Sequence, residues 1–315
     1  MSLANLLEDG KKLVLFSGKG GVGKTTQAAA FALKLAKMGK PTLIISSDPA
    51  PSLSDIFELK IGDQEKPLLG IENLYGAEIS ADSVLKRWKE KFGPQVYEVL
   101  SSFIPLEYDI IDYFASAPGI EEEFMLDYIL ELLENDKYDT VVWDTAPAGH
   151  TIRLLNLPQT LISHLEAAAK VYMRLYGYFK KLTEIAKAKD QKSSIFAIIN
   201  EWKILSEKIL SLLRDKTKTE FIVVANPEAL SVYQTKRIID FFREFGVAVN
   251  HIIINNVIKI VDGDFLKARK RMQQGYIKAM EENYGEDMEL TEIPLAPYEI
   301  KGVEKIGEIS RVLFK

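Results

Sequence analysis

The sequence predicts an α/β fold built on a mostly parallel, doubly wound sheet with a helical insertion subdomain. Short apolar runs rich in β-branched residues alternate with stretches of helical periodicity, a pattern typical of right-handed βαβ units. The runs are continuously apolar, so each strand is expected to be buried on both faces. Two long stretches without a strand pattern predict the helical insertions.

Seven apolar runs predict the strands of the sheet. They lie at residues 12–17, 42–47, 74–79, 140–144, 221–225, 251–255 and 290–294. A helix is predicted at residues 25–38, because Gly39 and Pro41 follow it as stop signals.

The insertions are predicted at residues of about 81–135 and 158–219, within a single domain over residues 1–315. In the second insertion, apolar side chains recur at steps of three and four residues, as on one face of a helix. Residues 261–286 are charged and predict an exposed covering helix.

The composition excludes several kinds of site and partner. The 315 residues include no cysteine, which rules out disulfides, thiolate metal sites and cysteine nucleophiles. The net charge of -5 indicates no nucleic-acid partner, which would favour a basic face. The apolar runs are shorter than the roughly 18 residues that span a membrane. We therefore expect a cytoplasmic protein.

A phosphate-binding loop is predicted between the first strand and the first helix. The pattern Gly-x-x-x-x-Gly-Lys-Thr lets the backbone curl so that its N–H groups point at phosphate oxygens, at the positive end of a helix. Lys24 would reach the β- and γ-phosphates, and the Thr25 hydroxyl would bind Mg²⁺. The predicted nucleotide-binding residues are Gly18, Lys19, Gly20, Gly21, Val22, Gly23, Lys24, Thr25 and Thr26.

Lys19 follows the first glycine, where the basic loop requires no lysine. Its side chain can reach the phosphates of a nucleotide that faces it across a dimer, in a role like that of an arginine finger. A solvated loop lysine is the plainer interpretation.

Two aspartates follow strands that neighbour the loop. Asp48 comes after the second strand, beside the ligand crevice, where a carboxylate can orient or deprotonate the attacking water. Asp144 ends the strand at 140–144, as expected for an acid near Mg²⁺. Asp55 fits a contact to metal-bound water or a helix cap equally well. His150 lies in a predicted switch loop and either couples that loop to its surroundings or only packs there.

These three motifs together resemble those of the deviant-Walker, signature-lysine ATPases. Within that group the chain is similar to the arsenite-pump ATPase and tail-anchored-protein targeting ATPase family. The matching stretches are residues 19–26, 48–55, 144–155, 227–235, 255–256 and 294–303. The resemblance implies a P-loop NTPase fold, ATP hydrolysis, and ATP and Mg²⁺ as ligands.

The resemblance also implies roles for individual residues. Asp48 and Lys19 would be catalytic, and Asp144 would bind Mg²⁺ together with Thr25. Asn255 resembles the adenine-reading asparagine. The loop at Pro294 would pack on the base, and Glu228 would lie near or across a dimer interface.

Some positions depart from the family pattern. Pro51 replaces the usual histidine, and Ala148 replaces the usual threonine. The Cys-x-x-Cys pair that clamps some members through zinc would fall near residues 267–270 and is absent, so no zinc clamp is expected. With one P-loop per chain, a homodimer is needed to supply Lys19 to the opposite site.

The leading functional hypothesis is a dimeric ATPase that shields the hydrophobic helix of tail-anchored proteins and delivers them to a membrane receptor. The alternative is an ATPase subunit that energises an arsenite or other metalloid pump. A P-loop kinase for small molecules is disfavoured by the signature lysine. A partitioning or division-site ATPase is disfavoured by the short C-terminal segment of mixed charge.

Overall fold

The computed structural model describes residues 3–48, 51–68, 70–101, 107–115, 120–145 and 188–315. The chain forms two compact units. The first contains Met1–Ser80, Ile129–Ile152 and Leu212–Lys315, and the second contains Ala81–Tyr128 and Arg153–Ser211.

The first unit contains an eight-stranded sheet. The strands are β1 (Leu13–Gly18), β2 (Thr42–Ser46), β3 (Lys66–Pro67), β4 (Leu74–Glu78), β5 (Thr140–Asp144), β6 (Thr219–Ala225), β7 (Val249–Val257) and β8 (Glu289–Pro294). Their order is β3-β4-β2-β5-β1-β6-β7-β8. Only β3 pairs antiparallel, with β4, and every other neighbouring pair is parallel. The predicted mostly parallel α/β fold is thus confirmed.

Helices connect the strands. They are α1 (Lys24–Lys37), α2 (Ser52–Phe57), α3 (Ala81–Ser101), α4 (Ile110–Ala115), α5 (Ile120–Glu134), α6 (Ala188–Arg214), α7 (Ala229–Glu244), α8 (Gly263–Tyr284) and α9 (Gly302–Leu313). Within these described helices, none is both long and apolar enough to cross a membrane.

Buried side chains on both faces of the sheet explain why its strands are continuously apolar. On one face, a core cluster joins the strands to α1 and α9, and there the rings of Phe16 and Phe31 lie 5.8 Å apart. On the other face, Phe221 of β6 packs on Phe242 of α7, with ring centroids 4.5 Å apart.

The described residues of the second unit lie in helices, except for the short segment at 107–109. Lys91 of α3 pairs with the buried Asp127 of α5, and Lys89 pairs with Asp112 of α4 at 2.7 Å. The sequence predicted helices at 81–135 and 158–219. Residues 102–106, 116–119 and 158–187 of these stretches lie outside the described residues.

Candidate nucleotide-binding and catalytic site

The predicted loop joins β1 to α1 at the edge of the sheet where the parallel strands end. β1 lies between β5 and β6, so the loop is flanked by the carboxyl ends of both strands. α1 begins at Lys24, and no side chain caps its first N–H groups. Those N–H groups are therefore available to bind an anion.

Gly18 and Gly23 are loop positions where both the backbone conformation and a close neighbour require glycine. Gly18 has φ 154° and Gly23 has φ 95°, conformations that side chains disfavour. A Cβ at Gly18 would lie 2.3 Å from the carbonyl oxygen of Val224, and one at Gly23 would lie 2.3 Å from Asn255 Nδ2. The loop thus lies directly against β6 and β7.

Asn255 of β7 holds this loop in place. Its side chain is 7% exposed, and Nδ2 donates a hydrogen bond to the carbonyl oxygen of Val22 at 2.8 Å. Its Oδ1 accepts one from Gln27 Nε2 of α1 at 3.2 Å. These two bonds fix the loop, and the expected adenine-reading role of Asn255 stays a prediction.

Thr25 and Asp144 meet beneath the start of α1. The Thr25 hydroxyl donates to Asp144 Oδ2 at 2.6 Å, whereas Oδ1 of this buried carboxyl group has no partner among the described residues. The pKa of Asp144 is raised to about 7, mainly by burial. The nearby charge of Asp48 also raises this pKa. The Thr25 hydrogen bond and the positive charge of Lys24 act against it.

This pair fits a magnesium ion, because Mg²⁺ prefers oxygen ligands and the pair offers a hydroxyl beside an unpartnered carboxylate oxygen. Over the described ranges, no three His, Cys, Asp or Glu side chains group to hold a metal. An ion here would complete its coordination with phosphate oxygens and water.

Asp48 lies two residues beyond the end of β2. Its N–H donates to Ser46 Oγ at 3.2 Å, and the N–H of Ser47 donates to the carbonyl oxygen of Asp144 at 3.3 Å. The structure therefore places Asp48 and Asp144 at neighbouring strand ends.

The helix α2, which follows this segment, is capped from the sheet. Glu78 of β4 accepts hydrogen bonds from the N–H groups of Leu53 at 2.7 Å and Ser54 at 2.9 Å. Asp55 lies exposed in the first turn of α2, and the N-cap position belongs to Pro51.

The remaining predicted residues occupy different surroundings. Lys24 is buried and Lys19 is partly exposed. Glu228 occupies the N-cap position of α7 and accepts a hydrogen bond from Arg269 Nη2 at 2.8 Å. Pro294 ends β8. His150, Ala148 and the rest of the predicted switch loop at 146–151 lie outside the described residues, as do Pro49 and Ala50.

Comparison with known proteins identifies the family. Residues 11–315 match the family described as Anion-transporting ATPase. The chain belongs to this family. It is 34% identical to ATPase ASNA1 homolog 1 of Paramecium tetraurelia, over 100% of this chain and 96% of the relative. ATPase GET3 of Komagataella phaffii is 35% identical, over 96% and 90% of the two chains. Putative arsenical pump-driving ATPase 2 of Aquifex aeolicus is 34% identical, over 96% and 99%.

The predicted family is thus confirmed, and the protein is a nucleotide-binding, ATP-hydrolysing enzyme. Sequence reasoning missed two residues that shape the site of this ATPase, Gln27 and Glu78. Gln27 could have been recognised in the sequence as a polar residue directly before the apolar run at 28–33 of α1. Glu78 could have been recognised as an acidic residue at the end of a predicted strand.

Proposed function

We propose that this ATPase acts as a cytoplasmic homodimer that binds the hydrophobic helix of tail-anchored proteins and delivers them to a membrane receptor. The observation that carries the catalytic part is the Thr25–Asp144 pair at the start of α1, in which Oδ1 of Asp144 meets no partner among the residues that the structure describes. The names of relatives such as ATPase GET3 support the targeting part.

Hydrolysis occurs by in-line attack of water on the γ-phosphate. Asp48 orients this water and accepts its proton. Lys24 and the N–H groups at the start of α1 bind the phosphates, and the partner's Lys19 adds positive charge in the transition state. Thr25 and Asp144 would hold Mg²⁺, which would supply positive charge to neutralise the phosphate oxygens.

Exposed apolar side chains at the carboxyl edge of the sheet support the homodimer. Six large apolar side chains that are at least 40% exposed follow β6, β7 and β8; they are Leu230, Tyr233, Ile260, Phe265, Leu295 and Tyr298. Apolar surface grouped in this way is typical of an interaction site. A second copy that covers this edge would bring Lys19 towards the opposite nucleotide.

Two exposed apolar side chains of the second unit support the client-binding role. In this unit, Ile209 of the apolar stripe in α6 is not available to a client, because it is buried. Tyr108 and Ile204 remain exposed, at 51% and 46%. These two side chains are the described apolar positions of this unit on which a client helix would dock.

The client is tested by co-purification with a tail-anchored membrane protein, and the same protein without its hydrophobic tail is the control. We expect capture only with the tail, and weaker capture by the double variant Tyr108→Asp, Ile204→Asp. Met38→Asp, which also changes an exposed apolar residue, is the matched control and should capture normally. Capture of the tail-less protein would reject the proposal.

The alternative is a metalloid pump subunit, which the name of the Aquifex relative favours. Without cysteine, the chain has no thiolate to bind arsenite. Stimulation of ATP hydrolysis by arsenite would favour this alternative over the tail-anchored client.

A further inference from the structure

Trp143 of β5 forms a hydrogen bond that its apolar strand pattern does not predict. Its side chain is 1% exposed, and the indole Nε1–H donates to Ser47 Oγ at 3.0 Å. Indole nitrogen is only a donor, so a buried tryptophan needs an acceptor of this kind.

The two ends of this bond lie directly before the two acidic residues of the site. Trp143 precedes Asp144, and Ser47 precedes Asp48. β2 and β5 run parallel, with Ile45 beside Trp143 and Ser46 beside Asp144.

Ser47 lies just beyond the end of β2, where the register of paired residues between β2 and β5 stops at Ser46. Two contacts to β5 fix it. Its N–H donates to the carbonyl oxygen of Asp144 at 3.3 Å, and its hydroxyl accepts from Trp143. Movement of Ser47 away from β5 would leave the buried indole N–H of Trp143 without an acceptor, which is unfavourable.

We propose that Trp143 is a positioning residue for ATP hydrolysis, which holds Ser47 through its hydroxyl and thereby places the carboxylate of Asp48. The inference rests on the proposed role of Asp48 in orienting water. The simpler reading, that Ser47 merely satisfies a buried donor, predicts lower stability without a specific change in kcat.

A matched pair of substitutions separates these readings. Ser47→Thr keeps the hydroxyl, whereas Ser47→Val has nearly the same shape and lacks it. We expect kcat for ATP to fall about tenfold in Ser47→Val and in Trp143→Phe, because small misplacements of catalytic groups are costly. KM should change little, since the phosphates bind to the P-loop, and Ser47→Thr should retain most of the wild-type kcat.

The double variant Trp143→Phe, Ser47→Val should be no slower than the slower single variant, because both changes remove one interaction. Equal losses in Ser47→Thr and Ser47→Val, or multiplied losses in the double variant, would overturn the inference. Asp48→Asn is measured alongside. If it turns over normally, the proposed role of Asp48 fails; if it is inactive while Ser47→Val has normal kcat, only the present inference fails.

A spectroscopic readout does not depend on activity. The chain has three tryptophans, so ¹⁵N-labelled protein gives three indole N–H signals, which single Trp→Phe variants assign. In Ser47→Val the Trp143 signal should shift upfield, because the N–H loses its acceptor. An unchanged Trp143 signal would contradict the bond.

Discussion

Asp144 is a buried carboxyl group with one oxygen that has no hydrogen-bond partner in the described part of the chain, and its pKa is raised to about 7. The folded protein therefore keeps a proton there at pH values where the unfolded chain, with an ordinary pKa of 3.8, has released it. Between these two values the native state binds more protons, so stability falls as pH rises from roughly 4 to 7. Above pH 7 the destabilisation is fully present.

Asp144→Asn, which stays neutral, should therefore melt several degrees higher than the wild type at about pH 8 without nucleotide. The difference should shrink as pH falls and vanish near pH 4. Differential scanning calorimetry across this range measures it. Asp139→Asn, at an exposed position beside β5, is the control and should change the Tm little. A difference that did not vary with pH would show that another property of Asp144 controls the stability.

The glycines of the loop offer a second test at single residues. Gly23→Ala would force a Cβ to within 2.3 Å of Asn255 Nδ2, whereas Gly21, at φ 74°, has nothing within 4 Å of that position. Both substitutions strain the backbone, but only the first meets a clash. We expect Gly23→Ala to weaken ATP binding at least about tenfold more than Gly21→Ala, as measured by calorimetric titration. Equal losses would mean that backbone strain alone explains the effect.

At the scale of elements, α2 depends on a residue from a different strand. Glu78 accepts the N–H groups of Leu53 and Ser54, so Glu78→Ala should destabilise the protein by about 1–2 kcal/mol, as the loss of a helix cap does. Urea unfolding measures this change. Asp55→Ala removes an exposed acid from the same helix and should cost less. The cap assignment fails if the two variants are equally stable.

The elements themselves were largely predictable from the sequence. All seven predicted strands are present, because a strand buried on both faces must be continuously apolar. β3 was not predicted, since its two exposed residues carry no apolar pattern. Observed strand ends match the predicted ones or differ by at most two residues; β5 matches at both ends, whereas β7 extends from Val249 to Val257.

The individual contacts of the site were less predictable. The loop glycines and the acids Asp48 and Asp144 follow from motifs, because phosphate and metal binding constrain residues close together in sequence. Glu78 and Asn255 act on residues that are 25 and 233 positions away along the chain. No local pattern reveals such pairs, since they depend on the order of strands in the sheet.

At the scale of the whole molecule, the proposed dimer makes each active site depend on both chains. Lys19→Ala should bind ATP without hydrolysing it, and Asp48→Asn should behave likewise. In a mixed dimer of the two variants, one site combines an intact Asp48 with the partner's Lys19. Mixing two inactive proteins should then restore about a quarter of the wild-type rate, given random pairing in a two-fold dimer. No recovery on mixing, with mixed dimers detected by mass spectrometry, would place Lys19 in its own site.

The sheet ends on one side at β3, a strand of two residues, Lys66 and Pro67, that pairs antiparallel with β4. Proline has no N–H to offer a further strand, and a strand added there would have to bury the lysine charge. This edge therefore resists templated growth into cross-β aggregates. That protection matters for a protein proposed to carry hydrophobic segments of others, because a carrier with an open sheet edge would risk co-aggregating with its own cargo.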